Sequence, residues 1–348
     1  MNTLTLRIAS GLSALAILGT AAASNAATFA LGAPRAAQFN HRALVQSVRY
    51  DTKNMKLLYV SDLGQTAGPG GEIWVYNITA NTKNSQPIYS ITNGIDAPNG
   101  MATDLQGDLY VANTANNSVT IYLPGQTTPA ATLTTGIISP LDVKVDAANN
   151  VYIANSPGYG GLDSIVEYSA GASAPSQTWT LSNFFPPNSV IWGITLSNPT
   201  VPSETGIYAS VVTFNAQGAA SGTLTQAFQG YPYIFPASDQ MFGQTVGIAV
   251  TQSGGANPSN LAMVDQSLAG VDFFGNSYQQ TGKLKTGGLP EFITFNSALS
   301  DLFVANQESE MVVEYSWPAH KIINTFSPPG GANKMLYGVA VTPAGTYH

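Results

Sequence analysis

Two carboxylates and an amide recur at neighbouring phases of this sequence: Asn99 in "PNGMA" and Glu291 in "PEFIT" at one position, and Asp142 in "LDVKV" one residue later. Each of the three segments opens a copy of the same strand-like phrase. Two carboxylate groups and one amide oxygen are hard donors, the set that holds a cation such as Ca²⁺. With a metal on Asn99, Asp142 and Glu291, the chemistry would be polarisation of an ester carbonyl and activation of water. Without one, the phase of Asn99 and Glu291 also carries Trp192 and Tyr337. Asn99, Asp142, Trp192, Glu291 and Tyr337 would then be a ligand-binding set around the channel mouth, and Trp192 and Tyr337, with tyrosines of the long loops, would form an uncharged, aromatic, hydrogen-bonding surface for a sugar, a peptide or another neutral partner. Other chemistry has less to stand on. Of the three histidines, His41 precedes the first strand, His320 falls in an outer turn and His348 ends the sequence. A Ser-His-Asp arrangement therefore has no base in place. There is no cysteine, which removes thiolate nucleophiles, thiolate zinc sites and disulfides. "GPGG" (Gly68 to Gly71) lacks the lysine and following helix of a phosphate loop.

These residues can meet only if the copies are arranged radially. "GMATDLQGDLYVAN" (100–113) matches "DVKVDAANNVYIAN" (142–155) and, with two extra residues, "SVRYDTKNMKLLYVSD" (47–62). Copies starting at Gly193, Gly247 and Phe292 complete six, and "GVAVTPAG" (338–345) is an unpartnered seventh start. Equivalent positions lie about 42 to 54 residues apart, the period of propeller blades. Each copy has a first strand, a turn of Gly, Asn, Asp or Pro, and a second strand such as Leu109–Ala112. Third strands such as "SVTIY" (118–122) and "SIVEY" (164–168) and a polar fourth such as Ala131–Thr134 follow. Short alternating strands with turn signals, and no helical period, predict an all-β chain. Four strands per repeat predict a six-bladed β-propeller of four-stranded antiparallel blades. The seventh start is expected to pair beside the N-terminal blade and close the ring.

The phrase "PNGMATD…GDLYVAN" resembles the NHL-type repeat and, more distantly, the gluconolactonase (senescence-marker) family of six-bladed propellers, over roughly residues 44 to 345. That resemblance implies an NHL-like architecture. In the gluconolactonase family a Glu, Asn and Asp set holds the channel metal, so it implies a metal role for Glu291, Asn99 and Asp142. The family's N-terminal Glu-Gly-Pro segment is missing here, and Glu291 lies in the last copy rather than the first.

Two further features bear on function. The second strand ends in a short polar residue in most copies: Asp62, Asn113, Asn155, Asp265 and Asn306. Such regularity predicts an architectural role at the turn amides. Long loops, "DLGQTAGPGGE", "NSPGYGGLD", "FNAQGAASG" and "GYPYIFPASDQMFG", add Tyr159, Tyr231 and Tyr233 to the same face, where binding residues concentrate on a rigid scaffold.

Composition narrows the partner. The chain of 348 residues is 44% hydrophobic and 9% charged, with net charge −7, against about 25% charged for an average protein. An acidic, charge-poor chain does not suit nucleic acid. Residues 1–26 read as a secretory signal peptide: Arg7, an apolar run from Ile8 to Leu18, then small residues up to Ala26. No later run is long and apolar enough to span a bilayer. The expectation is a single propeller domain over 27–348, monomeric, secreted or periplasmic. It would bind an extracytoplasmic ligand, a glycan or a protein, through its loop face. The alternatives are a divalent-metal-dependent lactonase or related hydrolase, using Ca²⁺ on Asn99, Asp142 and Glu291, and a structural surface protein.

Overall fold

A computed structural model describes residues 50, 52, 54–64, 70–79, 86–157, 163–180, 188–197, 206–214, 220–228, 231–234, 245–250, 260–275, 279–296, 298–330 and 334–342, with the backbone alone for 220–228, 231–234 and 260. The signal-peptide segment, His41, Gln46, Ser47, Tyr159 and His348 lie outside the described residues, as do the side chains of Tyr231 and Tyr233.

In chain order the strands are β1 (Leu57–Asp62), β2 (Glu72–Asn77) and β3 (Tyr89–Ile91); β4 (Pro98–Thr103), β5 (Leu109–Asn113), β6 (Ser118–Tyr122) and β7 (Ala131–Leu133); and β8 (Pro140–Val145), β9 (Val151–Asn155), β10 (Ser164–Tyr168) and β11 (Gln177–Thr180). They continue as β12 (Ser189–Ser197), β13 (Gly206–Phe214), β14 (Ala220–Phe228) and β15 (Tyr231–Ile234); β16 (Thr245–Val250), β17 (Asn260–Asp265), β18 (Gly270–Gly275) and β19 (Gln280–Lys285); and β20 (Pro290–Phe295), β21 (Asp301–Asn306), β22 (Met311–Ser316), β23 (Ile322–Phe326) and β24 (Leu336–Val341). The described residues form six four-stranded antiparallel sheets. The leading strands β4, β8, β12, β16 and β20 touch in that order, and β24 closes the circle against β4 and β20. This is a propeller ring of four-stranded blades.

The sequence explains the layering. Leading and second strands are buried on both faces, as in β9, where Val151 to Asn155 are all buried. Their near-continuous apolar runs fit that position. The outermost strands are shorter or more exposed, as in β7 and β11. Apolar clusters lie between neighbouring sheets rather than within one. Tyr110, Val143 and Ile153 join the second sheet to the third, and Tyr152, Ile165 and Ile207 join the third to the fourth.

The inner place in the first sheet is filled by β24, which pairs antiparallel with β1, Leu58 opposite Val341. Closure by the late segment is thus as expected, whereas Tyr50 does not stand in an inner strand. The Tyr50 amide donates to the Gly125 carbonyl (2.8 Å), and its ring stacks on Tyr89 of the outermost β3 (4.1 Å). The fourth sheet corrects another expectation. Residues read as loop insertions around "FNAQGAASG" and "GYPYI" include β14 and β15. The small and polar residues of β14 lack the aromatic and β-branched density that marks a strand. Strands β12, β13 and β14 each run to nine residues.

Candidate functional site

Every leading strand breaks register with its neighbour at the same place. Between paired positions, residues 99–100 stand opposite Ala112 alone, 246–247 opposite Val264, 291–292 opposite Ala305, and 337–338 opposite Ser61. Leu141 and Trp192 are single extra residues at the equivalent points. Two residues against one is a β-bulge, a device that re-aims side chains. The ring of bulges therefore carries Tyr337, Asn99, Leu141, Trp192, Val246 and Glu291 in order around the axis. Leading strands begin and second strands end on one face, the loop face, and the bulges lie just inside it.

The residue after the bulge is glycine in four of the six strands because the next strand passes too close for a side chain. A Cβ on Gly247 would stand 2.6 Å from the Phe292 Cα and 2.7 Å from the Glu291 carbonyl. Asp142 takes this place in β8. A Cβ on Gly100 of the neighbouring β4 would run into the Asp142 side chain, so that glycine makes room for it.

The structure places the five predicted site residues around one ring but gives them different roles. Asp142 is fully buried, and its oxygens are occupied. Lys144 Nζ donates to both (2.7 and 2.8 Å), the Val143 amide donates to Oδ1 (2.8 Å), and the Ile194 amide donates to Oδ2 from the fourth sheet (2.9 Å). Burial pushes its carboxyl up, and the Lys144 ammonium opposes the shift. Glu291 is buried with no cation beside it. Burial drives its carboxyl well above the usual carboxylate range, and the Gln266 amide offsets this only in part. Tyr337 lies close enough for Glu291 to raise its phenol, after burial itself, and its oxygen accepts from Gln307 Nε2 (3.5 Å). Asn99 donates through Nδ2 to Thr114 Oγ1 (3.2 Å), leaving Oδ1 buried and without a partner. Trp192 is half-buried, packs on both Leu141 and Val246 neighbourhoods, and has an unpartnered buried Nε1. Polar bulge residues thus run consecutively (Glu291, Tyr337, Asn99), and apolar or aromatic ones fill the other half (Leu141, Trp192, Val246).

Asn99, Asp142 and Glu291 do not fit a hard-cation centre. The Asp142 oxygens are taken by an ammonium and two amides, and burial favours the protonated form of Glu291. Among the described residues no group of three or more His, Cys, Asp or Glu side chains is arranged to hold a metal.

Side chains at the loop face also sew each sheet to the next. The Gly338 amide donates to Ser61 Oγ (2.6 Å), which donates to the Asn99 carbonyl (3.0 Å). In the fourth sheet the Gly193 amide donates to Ser210 Oγ, and Ser210 donates to the Val246 carbonyl. Thr114 donates to the Pro140 carbonyl (2.7 Å) and Gln266 to that of Pro290 (3.1 Å). The polar residues ending the second strands satisfy turn amides. Asn113 Oδ1 accepts from Asp96, Asn155 Oδ1 from Ile138, and Asn306 Oδ1 from Leu289.

Two residues that sequence reasoning missed complete the site. Asp163, just before β10, accepts through Oδ2 from the Ile191 amide (2.7 Å) and from Ser156 Oγ (3.2 Å). Its Oδ1 is buried and unpartnered, and burial lifts the carboxyl to about 7. Thr245, at the loop-face end of β16, has a buried, unpartnered Oγ1. Neither repeats between copies, so the repeat pattern carries no signal for them. Asn99 Oδ1, Asp163 Oδ1, Trp192 Nε1 and Thr245 Oγ1 all lie at the loop-face ends of consecutive sheets. A buried polar atom without a partner costs about 1–3 kcal/mol.

No family model matches the chain, and no curated protein does. Solved structures do share the fold. A chain of the nidogen/laminin complex aligns with TM-score 0.59 and 16% identity, over 83% of this chain and 99% of that one. A putative 6-phosphogluconolactonase from Bacteroides fragilis aligns with TM-score 0.56 and 13% identity, over 84% and 99%. Regucalcin, a calcium-binding protein from Agrobacterium tumefaciens, aligns with TM-score 0.53 and 10% identity, over 77% and 81%. At these identities the likeness concerns the fold alone.

Proposed function

We propose that this chain is an exported, six-bladed, NHL-like propeller that serves as a binding module, its site built on the ring of bulges at the loop face. Six four-stranded sheets whose leading strands touch in a closed order support the blade count. Of the ten buried polar side-chain atoms without partners among the described residues, four gather at this level of the ring and carry the binding reading: Asn99 Oδ1, Asp163 Oδ1, Trp192 Nε1 and Thr245 Oγ1. Native interiors pair such atoms, so four at one level of the ring invite a partner from outside. Asn99, Trp192, Glu291 and Tyr337 contribute to that ring, and Asp142 shapes it from within. Export rests on the segment 1–26, and the extracytoplasmic ligand is a glycan or a protein. A protein partner has a precedent in the nidogen/laminin neighbour.

The metal-dependent lactonase reading draws on the resemblance and on the 6-phosphogluconolactonase-like and regucalcin neighbours. The occupied oxygens of Asp142 count against it, and the structural-protein reading leaves the four atoms unexplained. The test is a thermal-shift screen of glycans, peptides and extracellular proteins, repeated with Trp192→Ala and Asn99→Ala. A ligand that stabilises the parent protein and loses at least tenfold in affinity in both variants supports the site. Binding insensitive to both variants would remove it.

A further inference from the structure

Resting on the binding reading above, we propose that Asp163, Trp192 and Thr245 form a subsite across the third, fourth and fifth sheets for a neutral, polyhydroxylated ligand, that is, a saccharide.

The three side chains share one level. Asp163 Oδ2 is fixed by the amide of Ile191, the residue before Trp192. Ile191 and Thr245 hold equivalent places, each pairing with the last common position of the second strand, Val211 and Asp265. Trp192 lies between them, packed on the side of Leu141 and Phe214 and on the side of Val246. Trp192 is only partly buried, and aromatic faces accept the C–H face of a ring.

Donor and acceptor types select the ligand. Trp192 Nε1 only donates, the Asp163 oxygen accepts, and the Thr245 hydroxyl does either. Burial lifts the Asp163 carboxyl to about 7, so near neutral pH it can also donate. An ammonium could satisfy only acceptors, and a carboxylate or phosphate only donors. A hydroxyl both donates and accepts, so a few hydroxyls on one ring answer all three groups.

Charge excludes anions independently. Between Lys144 and Lys283 the chain contains no Lys, Arg or His. Lys144 itself is held by Asp142, and Lys334, on the loop face of the first sheet, is held by Asp62 (3.1 Å) and Glu72 (3.5 Å). The lysines of the fifth sheet, Lys283 and Lys285, lie on its outermost strand β19 and not on the ring of bulges, so among the described residues no unpaired cation stands at the level of Asp163, Trp192 and Thr245 to meet a uronate, sulfate or phosphate.

The test uses the full chain against three arms: neutral glycans, acidic glycans (uronate and sulfated), and unmodified peptides. Binders are followed by calorimetry with Asp163→Asn, Thr245→Val and Trp192→Phe. Hydrogen exchange of the parent protein at 189–197 and 245–250 is read with and without the binder, so the result does not depend on a variant folding. The expected result is a neutral glycan that protects both segments and loses about tenfold in affinity, about 1.4 kcal/mol, in each variant. Binding confined to peptides or acidic glycans, yet weakened by Trp192→Phe, overturns the saccharide assignment and keeps the binding site. A neutral glycan that protects neither segment also overturns it. Silence in all three arms removes both proposals.

Discussion

Asp142 fills a place that glycine holds in four of the other leading strands, and it can do so because Lys144 stands two residues away on the same strand. The pair is lopsided: the carboxylate is wholly buried, and the ammonium keeps a fifth of its surface, 21%. Removing the lysine strands the acid. Lys144→Met is expected to destabilise the fold by about 3 kcal/mol, the usual cost of breaking a buried pair, read as a lower denaturant midpoint at unchanged slope. The same occupancy predicts that divalent ions gain nothing at this ring. Millimolar Ca²⁺ or a chelator should leave the melting temperature where it was, since a native-state cation site would raise it; a calcium-dependent rise lost in Glu291→Ala would reverse that reading. The sequence showed Asn99, Trp192, Glu291 and Tyr337 at one phase, and the structure puts them on one ring. Part of the engagement of Asp142 was legible, since Lys144 two residues on faces the same side of a strand; the Ile194 amide, 52 residues away in the next sheet, left no local mark. Asp163 was hidden for a related reason: its role comes from the Ile191 amide, 28 residues away and in the next sheet.

At the scale of elements, the close approach of neighbouring leading strands makes a direct prediction. Gly247→Ala would press a methyl group into the Phe292 and Glu291 backbone, and overpacking of this kind costs about 1–3 kcal/mol. Gly282→Ala, on the outer β19, meets only Phe273 Cδ2 at 3.8 Å and should leave the thermal midpoint within a degree or two. Equal midpoints for the two variants would mean that the ring is looser than these distances require. Third strands were the most legible elements: 118–122 and 164–168 were read from the sequence with the boundaries that β6 and β10 have. Their alternation is local. The place of the Tyr50 segment was not legible, because alternation marks a strand without naming its partner, and β24 held the inner position instead. Nor were the bulges, since a register shift leaves no mark on either strand alone.

For the whole molecule, β24 and β1 form a hairpin whose connection is missing. Leu58 pairs with Val341, and the Thr342 amide donates to the Leu57 carbonyl (2.9 Å). A permuted chain that starts at Lys334, joins Thr342 to Asn54 by a short linker and ends at Gly330 should fold with nearly the parent melting temperature. Its counterpart lacking 334–348 should lose cooperative unfolding, because an unpaired β1 edge invites association. If both behave alike, β24 is not what closes the ring. Stability should also follow pH in an unusual sense. Asp163 and Glu314 are both pushed up to about 7, chiefly by burial. The native state thus keeps protons that the unfolded chain releases in the ordinary carboxylate range. This contribution is present in acid and fades as pH rises through about 7. The melting temperature should fall between about pH 5 and pH 8, and Asp163→Asn with Glu314→Gln should flatten that fall.

The hairpin without a connection has a consequence in time. The bond from Gly338 to Ser61 spans 277 residues of chain, and closing a loop of that length is entropically slow to achieve. Five of the six sheets are built from strands adjacent in the sequence, so each can assemble as soon as it is made. The first sheet must wait, complete but for its inner strand, until β24 arrives. A ribosome that stalls late, or a protease that trims early, therefore removes the fastener and not a tail. The chain then behaves as an open fan with its β1 edge bare, the form that quality-control machinery is equipped to find.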